Sequence, residues 1–284
     1  IMIMLSVIAI IVSISSYMLF VKLIAPFFEN NLFKMNINKT IPKKKKSFIL
    51  FSKFFSKFNF GIFYNFANKM LSSDRKLKMT IYPTLAIALF FPIMFFYQSL
   101  KENGENLKNT PLYFMLYLLS MFTIQIYVIV YHSQHYQASW LFRYLPIKSP
   151  KPIFQGTLLA IFFKFQFPLL VLSSLFVLKF WGIKLLPEIF VIILNSIIIV
   201  FLFNIMGERI LPFSRKFVGN RALSYRGTSY LLVSVVFFPI VGGIHYAFTL
   251  FSGGIFILIL IQIFAIVMLW RGFFNSLNWL EIKE

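Results

Sequence analysis

Long uninterrupted apolar runs constrain this chain more than any motif does. They cover residues 4–27, 79–97, 112–131, 162–180, 185–206, 229–251 and 255–270. Crossing about 30 Å of hydrocarbon takes roughly 20 apolar residues as helix, and every backbone polar group there must find its partner inside the protein. Barrel strands would alternate apolar and polar residues, whereas these runs are continuous, so they predict helices. Only 13% of the residues are charged, against about 25% in a soluble domain. The sequence therefore predicts an all-α, polytopic integral membrane protein with about seven transmembrane helices. It reads as a single transmembrane domain over 1–284, with a basic cytoplasmic or interfacial segment at 28–78.

The formal charge of +20 would point to nucleic acid on a soluble protein. In a membrane protein the same cations mark cytoplasmic loops and contacts with anionic lipid, so no nucleic-acid partner is expected. Residues 28–78 hold twelve Lys and Arg, and 98–111 hold Lys101 and Lys108 against Glu102 and Glu105. Arg143, Lys148 and Lys151 follow without an acid, and Arg209, Arg215, Lys216, Arg221 and Arg226 face Glu208. Rich and poor loops alternate, which puts the N-terminus outside and the C-terminus in the cytoplasm. Ile1 already lies in an apolar run, and an odd number of spans fits a missing upstream helix, so a piece of a longer chain is expected. Lys outnumbers Arg, and Phe and Ile are abundant, as AT-rich codons favour. A bacterial cytoplasmic membrane is the expected location.

Over residues 48–66, Phe48, Phe51, Phe55, Phe58, Ile62 and Phe66 recur at helical steps, with Lys53, Ser56, Lys57 and Asn59 largely opposite. That pattern predicts an amphipathic helix lying in the cytoplasmic interface. Lys43 to Lys46 precede it, and each Lys near an anionic leaflet contributes about 1 kcal/mol.

Residues suited to chemistry are scarce. With no cysteine, disulfides and iron–sulfur clusters are excluded. His132 and His135 have no carboxylate nearby, while a catalytic zinc usually takes three protein ligands. All eight carboxylates fall in loops or at helix ends, which leaves no carboxylate of the usual kind for an intramembrane proton relay. No Walker A, Gly-X-Ser-X-Gly or His-Glu-X-X-His pattern occurs. No catalytic residue, metal or cofactor is expected, and the chain does not read as an enzyme. Polar residues within the runs are Gln125, Lys164, Gln166, Asn195, Asn204 and Gln262. The amides either bond between helices or line a conduit. Lys164 either snorkels to the cytoplasmic face or faces a substrate path or partner helix.

Two basic loops carry more information than anchoring needs. One is Ser72-Ser73-Asp74-Arg75-Lys76-Leu77-Lys78, leading into the second run. The other holds Ser133, Tyr136, Ala138, Trp140 and Arg143, then Pro146, Pro150 and Pro152, then Gln155-Gly156. Tyr136, Trp140 and Arg143 share one face of a short helix that must end before Pro146. Over residues 70–170 these features resemble the permease subunits of bacterial ABC exporters, the ABC-2-like group of large, separately encoded permeases. The resemblance lies in Ser-X-Asp-Arg-Lys-X-Lys, in Ser-X-X-Tyr-X-Ala-X-Trp, and in a Gly-started helix containing Lys164.

The resemblance implies a membrane subunit without its own ATPase. It would form the conduit, pair with an ATP-binding-cassette ATPase and possess, as an option, a second permease copy as partner. It implies docking at Ser133, Tyr136, Trp140 and Arg143 first, and at Asp74, Arg75 and Lys76 second. The main alternative is a stand-alone secondary transporter or channel. A membrane enzyme with an unrecognised site and a scaffold are the remaining readings. The Phe-, Ile- and Leu-rich wall suits a lipid, a hydrophobic peptide or a drug-like substrate, and suits plain lipid contact equally.

Overall fold

A computed structural model of the chain describes residues 57–103, 111–217 and 220–282, with Met18, Lys22 and Phe55. The expected span at 4–27 and most of the basic segment before Phe55 lie outside the described residues. Eight helices of more than one turn make up the described part: α1 (Gly61–Ser73), α2 (Arg75–Asn103), α3 (Leu116–Ile129), α4 (Lys151–Ile161), α5 (Phe167–Trp181), α6 (Leu186–Met206), α7 (Asn220–Thr249) and α8 (Gly254–Asn275). Stretches at Arg75–Ser99, Lys151–Trp181, Ile183–Met206, Leu232–Thr249 and Gly254–Asn275 are long and apolar enough to cross a membrane. A shorter apolar helix, Tyr113–Ile129, stands where the third run was expected. The chain is an all-α, multi-pass membrane protein.

One boundary differs from expectation for a physical reason. The helix holding the fourth run starts at Lys151, well before residue 162. Pro150 stands at its N-cap and Pro152 in its first turn, where a missing N–H costs nothing, so the prolines begin this helix instead of forming a gap before it. Of the interfacial helix expected at 48–66, residues 48–54 and 56 lie outside the described residues, and residues 61–66 fall in α1, Gly61–Ser73. Its buried face is Gly61, Tyr64, Ala67 and Leu71, while Phe58, Ile62 and Phe66 are exposed. Exposed aromatics suit a helix lying in the interface, while the small-residue face packs against protein and Phe55 joins the core.

Between α4 and α5 a π-helical segment, Phe162–Gln166, widens the coil. Pro168 explains it: a proline gives no N–H to the carbonyl four residues back and crowds that turn. The backbone answers by lengthening its bond, with Phe167 N–H donating to the Phe162 carbonyl.

The bundle has a basic end and a far end. At the basic end, Lys151 Nζ donates to Asn275 Oδ1 at 2.9 Å and Trp279 Nε1 to the Ile147 carbonyl at 3.1 Å. Arg209 donates to the Ser276 carbonyl at 2.7 Å and pairs with Glu281. These contacts fasten the segment after α8 onto two loops. One hydrophobic core lies toward this end, around Tyr64, Leu71, Phe154, Phe213 and Phe274. A second lies toward the far end, around Tyr113, Tyr117, Ile192 and Phe238.

α1 lies directly on α4 because Gly156 has no side chain. A Cβ there would stand 2.5 Å from Tyr64 N and 2.8 Å from the Phe60 carbonyl oxygen, and backbone cannot yield to it. Gly→Ala inside a helix ordinarily stabilises by up to about 1 kcal/mol. Gly156→Ala should instead destabilise by at least about 1–3 kcal/mol through overpacking, seen as a lower unfolding midpoint in detergent. A raised midpoint would mean that the two helices do not meet there.

Candidate functional site

At the basic end, the two loops singled out from sequence are joined through one buried carboxylate. Asp74 breaks the chain between α1 and α2 with an extended ψ of 112° and caps α2, its Oδ1 accepting from Leu77 N–H at 3.1 Å. Its Oδ2 accepts from Ser133 Oγ at 2.7 Å and from Gln134 N–H at 2.9 Å. Ser133 Oγ in turn accepts from His135 N–H at 3.0 Å. Asp74 is 1% exposed and Ser133 0%, so both are committed to holding the loops together.

That joint fixes a third loop as well. β1 (His132–Ser133) pairs in parallel with β2 (Arg215–Lys216), and Phe213 N–H donates to the Val130 carbonyl at 2.9 Å. Phe213 itself has φ 60°, a conformation that costs a bulky residue of order 1–3 kcal/mol and persists only where packing enforces it. Its ring is buried, with Phe66 set edge-on at 6.0 Å.

What the joint presents outward is aromatic and cationic. Tyr136–Trp140 forms a 3₁₀ turn and Leu141–Tyr144 a single α-turn, ending before Pro146 as expected. Phe142 anchors the turn in the core, while Trp140 is 57% exposed and Tyr144 81%, their rings in contact edge to face at 5.5 Å. Arg143 between them in sequence is exposed, as are Arg75 and Lys76 next to Asp74, and Tyr136 is half-buried. The candidate docking residues thus divide into two that face inward and a set that reaches the surface.

The intramembrane polar residues are placed as follows. Lys164, in the π segment, donates from Nζ to the Asn68 carbonyl at 2.9 Å and to Ser72 Oγ at 2.5 Å. A cation at the last turn of α1 complements the helix dipole. Gln166 accepts from the Tyr127 hydroxyl at 2.7 Å, linking two helices, and Asn204 donates to the Val200 carbonyl of its own helix at 2.7 Å. Gln125 is half-buried on α3. Gln262 is buried on α8, and its amide has no hydrogen-bond partner among the described residues.

Sequence reasoning missed a polar cluster at the far end. His245 on α7 is fully buried. Its Nε2 lies 2.5 Å from Glu188 Oε2 at the start of α6, and its Nδ1 lies 3.1 Å from the Tyr117 hydroxyl on α3. Asn195 Nδ2 donates to that hydroxyl at 2.6 Å. Asn195, Tyr117, His245 and Glu188 thus form one continuous chain of buried hydrogen bonds across three helices. Glu188 does lie at a helix end, as expected, but its carboxylate turns into the bundle. No group of three metal-ligating residues occurs among the described residues.

Comparison of the chain with protein families, with curated proteins and with solved structures gave no match.

Proposed function

We propose that this chain is the membrane-spanning permease subunit of an ATP-binding-cassette exporter. A separate ATPase subunit would dock at the basic end. The observation that carries the reading is the Asp74–Ser133 joint. It brings together the two stretches that resemble exporter permeases and holds Trp140, Tyr144 and Arg143 out at the surface. Exposed Trp, Tyr and Arg side chains on one short turn are the chemistry of a protein interface, where these residue types dominate the energy. The positive-inside rule places that end in the cytoplasm, where ATP and the ATPase are, and hence the C-terminus as well. Anionic lipid would meet the cations of that end, in a bacterial cytoplasmic membrane.

The double variant Trp140→Ala, Arg143→Glu tests this. Loss of two interface anchors, each of about 2 kcal/mol or more, should weaken ATPase association by roughly a thousandfold. Membrane insertion and yield should be unchanged, because neither substitution touches the core. ATPase binding at the unaltered level would remove the docking assignment.

One observation favours a second reading, a stand-alone ion-coupled transporter. Ionisable groups inside a helix bundle are the ordinary signature of an ion or proton pathway, and His245–Glu188 is such a pair. Uptake into liposomes driven by a pH gradient, with no ATPase present, would establish that reading in place of the first.

A further inference from the structure

The exposed turn at the basic end and the fourth span are both fastened to one helix. The turn rests on α1, where the buried ring of Phe142 meets Phe66 edge to face at 5.6 Å and Phe63 at 6.4 Å. Asp74, the residue after α1, holds Ser133. α1 in turn touches the span Lys151–Trp181 at two levels. Near its start, the backbone at Phe60 and Tyr64 lies directly on Gly156. At its end, roughly 12 Å further along, Lys164 donates to the Asn68 carbonyl at 2.9 Å and to Ser72 Oγ at 2.5 Å. The first contact is backbone on backbone and cannot yield, while the second is made by a long side chain reaching across. A charge in an apolar run is costly, so packing alone does not account for a lysine here.

Lys164 belongs to the part of the span with the least regular backbone. It lies in the π segment Phe162–Gln166, and Pro168 follows in the next turn. A proline within a helix is accommodated by a wide turn of this kind or by a kink of more than about 20°, so two arrangements are open to the span at this point. Beside the segment lies a cavity of about 230 Å³ lined by Phe162, Phe163, Ile197, Val200 and Trp270. Protein interiors hold few such voids, and this one gives the two phenylalanine rings room to follow a change of coil.

We propose that Lys164 is a positioning residue that couples the surface turn to the fourth span. Displacement of the turn tilts α1 about its contact with Gly156, and the Lys164 bonds carry the tilt to the π segment, which changes between wide turn and kink. The coupling lies within this chain and does not depend on what meets the turn; on the reading above, the ATPase supplies the displacement.

The test uses the purified chain in lipid nanodiscs. The chain has no cysteine, so spin labels attach only at Leu175→Cys on α5 and Phe264→Cys on α8, both exposed positions. Pulsed electron resonance then reads the distance between them. Ser133→Ala loosens the turn at its joint with Asp74, and Phe142→Leu loosens its seat on α1. A kink of about 20°, carried over the roughly 10 Å of helix from Pro168 to Leu175, moves the label by about 3–4 Å. That shift is expected from either loosening variant. With Lys164→Met, of similar length but without donors, the same variants should leave the distance unchanged. Lys164→Arg keeps the donors and should restore the shift. A lysine with a merely structural role would change the unfolding midpoint and not the response to the turn. The proposal is overturned by a chain with Lys164 that shows no shift with either variant, by a shift that persists in Lys164→Met, or by one that Lys164→Arg fails to restore. Isolation of the protein without an ATPase would remove the docking reading and leave this result standing.

Discussion

Asp74→Ala is expected to destabilise the protein by about 3 kcal/mol or more and to release the loop that carries Trp140. The carboxylate accepts three hydrogen bonds, from Leu77 N–H, Ser133 Oγ and Gln134 N–H. Removing it strands donors in a buried place, each costing about 1–3 kcal/mol unless water reaches it. Gln134 is exposed, so its N–H recovers a water partner, while Ser133 and Leu77 do not. Asp74→Asn should be nearly as harmful, because the amide brings a donor to a site already full of donors. Ser133→Ala loses two bonds, its own to Asp74 and the one from His135 N–H, and should cost about 1–3 kcal/mol. The two losses should be non-additive by about 0.5–3 kcal/mol in a double-mutant cycle, as for residues in direct contact. Unfolding midpoints in detergent measure the energies, and limited proteolysis over 132–145 reports the loop. Additive losses with an unchanged cleavage pattern would show that the loops are not joined here.

His245→Leu should be the most damaging single change at the far end, by about 2–4 kcal/mol, because it strands two buried groups at about 1–3 kcal/mol each. Glu188 would be left in the bundle without its partner, and Tyr117 would lose one of its two hydrogen bonds. His245→Leu combined with Glu188→Leu removes both members, and replacing a buried pair by apolar groups is often neutral. The double variant should therefore recover most of the loss in unfolding midpoint. A double variant as unstable as the single one would mean that the pair is not the origin of the effect.

Much of the bundle is legible from sequence because membrane helices announce themselves. The run expected at 185–206 is seen as Leu186–Met206, and that at 255–270 lies within Gly254–Asn275. Boundaries were lost where the chain leaves hydrocarbon. Lys151–Ile161 continues the helix among protein side chains, with Ile153, Phe154 and Ile161 buried, and hydropathy gives no signal for that. The face of α1 that meets protein could not be read because it is set by close approach to Gly156, which no periodicity signals.

The sites were half legible. Asp74 and Ser133 were both singled out, yet nothing in the chain says that residues 59 positions apart share a hydrogen bond. Glu188 and His245 lie 57 positions apart, each looks ordinary alone, and only the helix packing makes them a pair. Lys164 stood out by its charge, but its partners, the end of α1 and Ser72, depend on a helix whose limits the sequence did not show. A carboxylate in the first turn of an apolar run and a lone histidine near the end of another would have been the one usable hint.

The central claim is an ATPase partner at the basic end, and it is tested most directly by isolating the tagged full-length protein from its native membrane in mild detergent and identifying what accompanies it by mass spectrometry. The account predicts a near-stoichiometric soluble subunit with a Walker A motif, lost when Trp140 and Arg143 are changed. Protein that emerges under gentle conditions with no ATPase attached would contradict it and give first place to the ion-coupled reading.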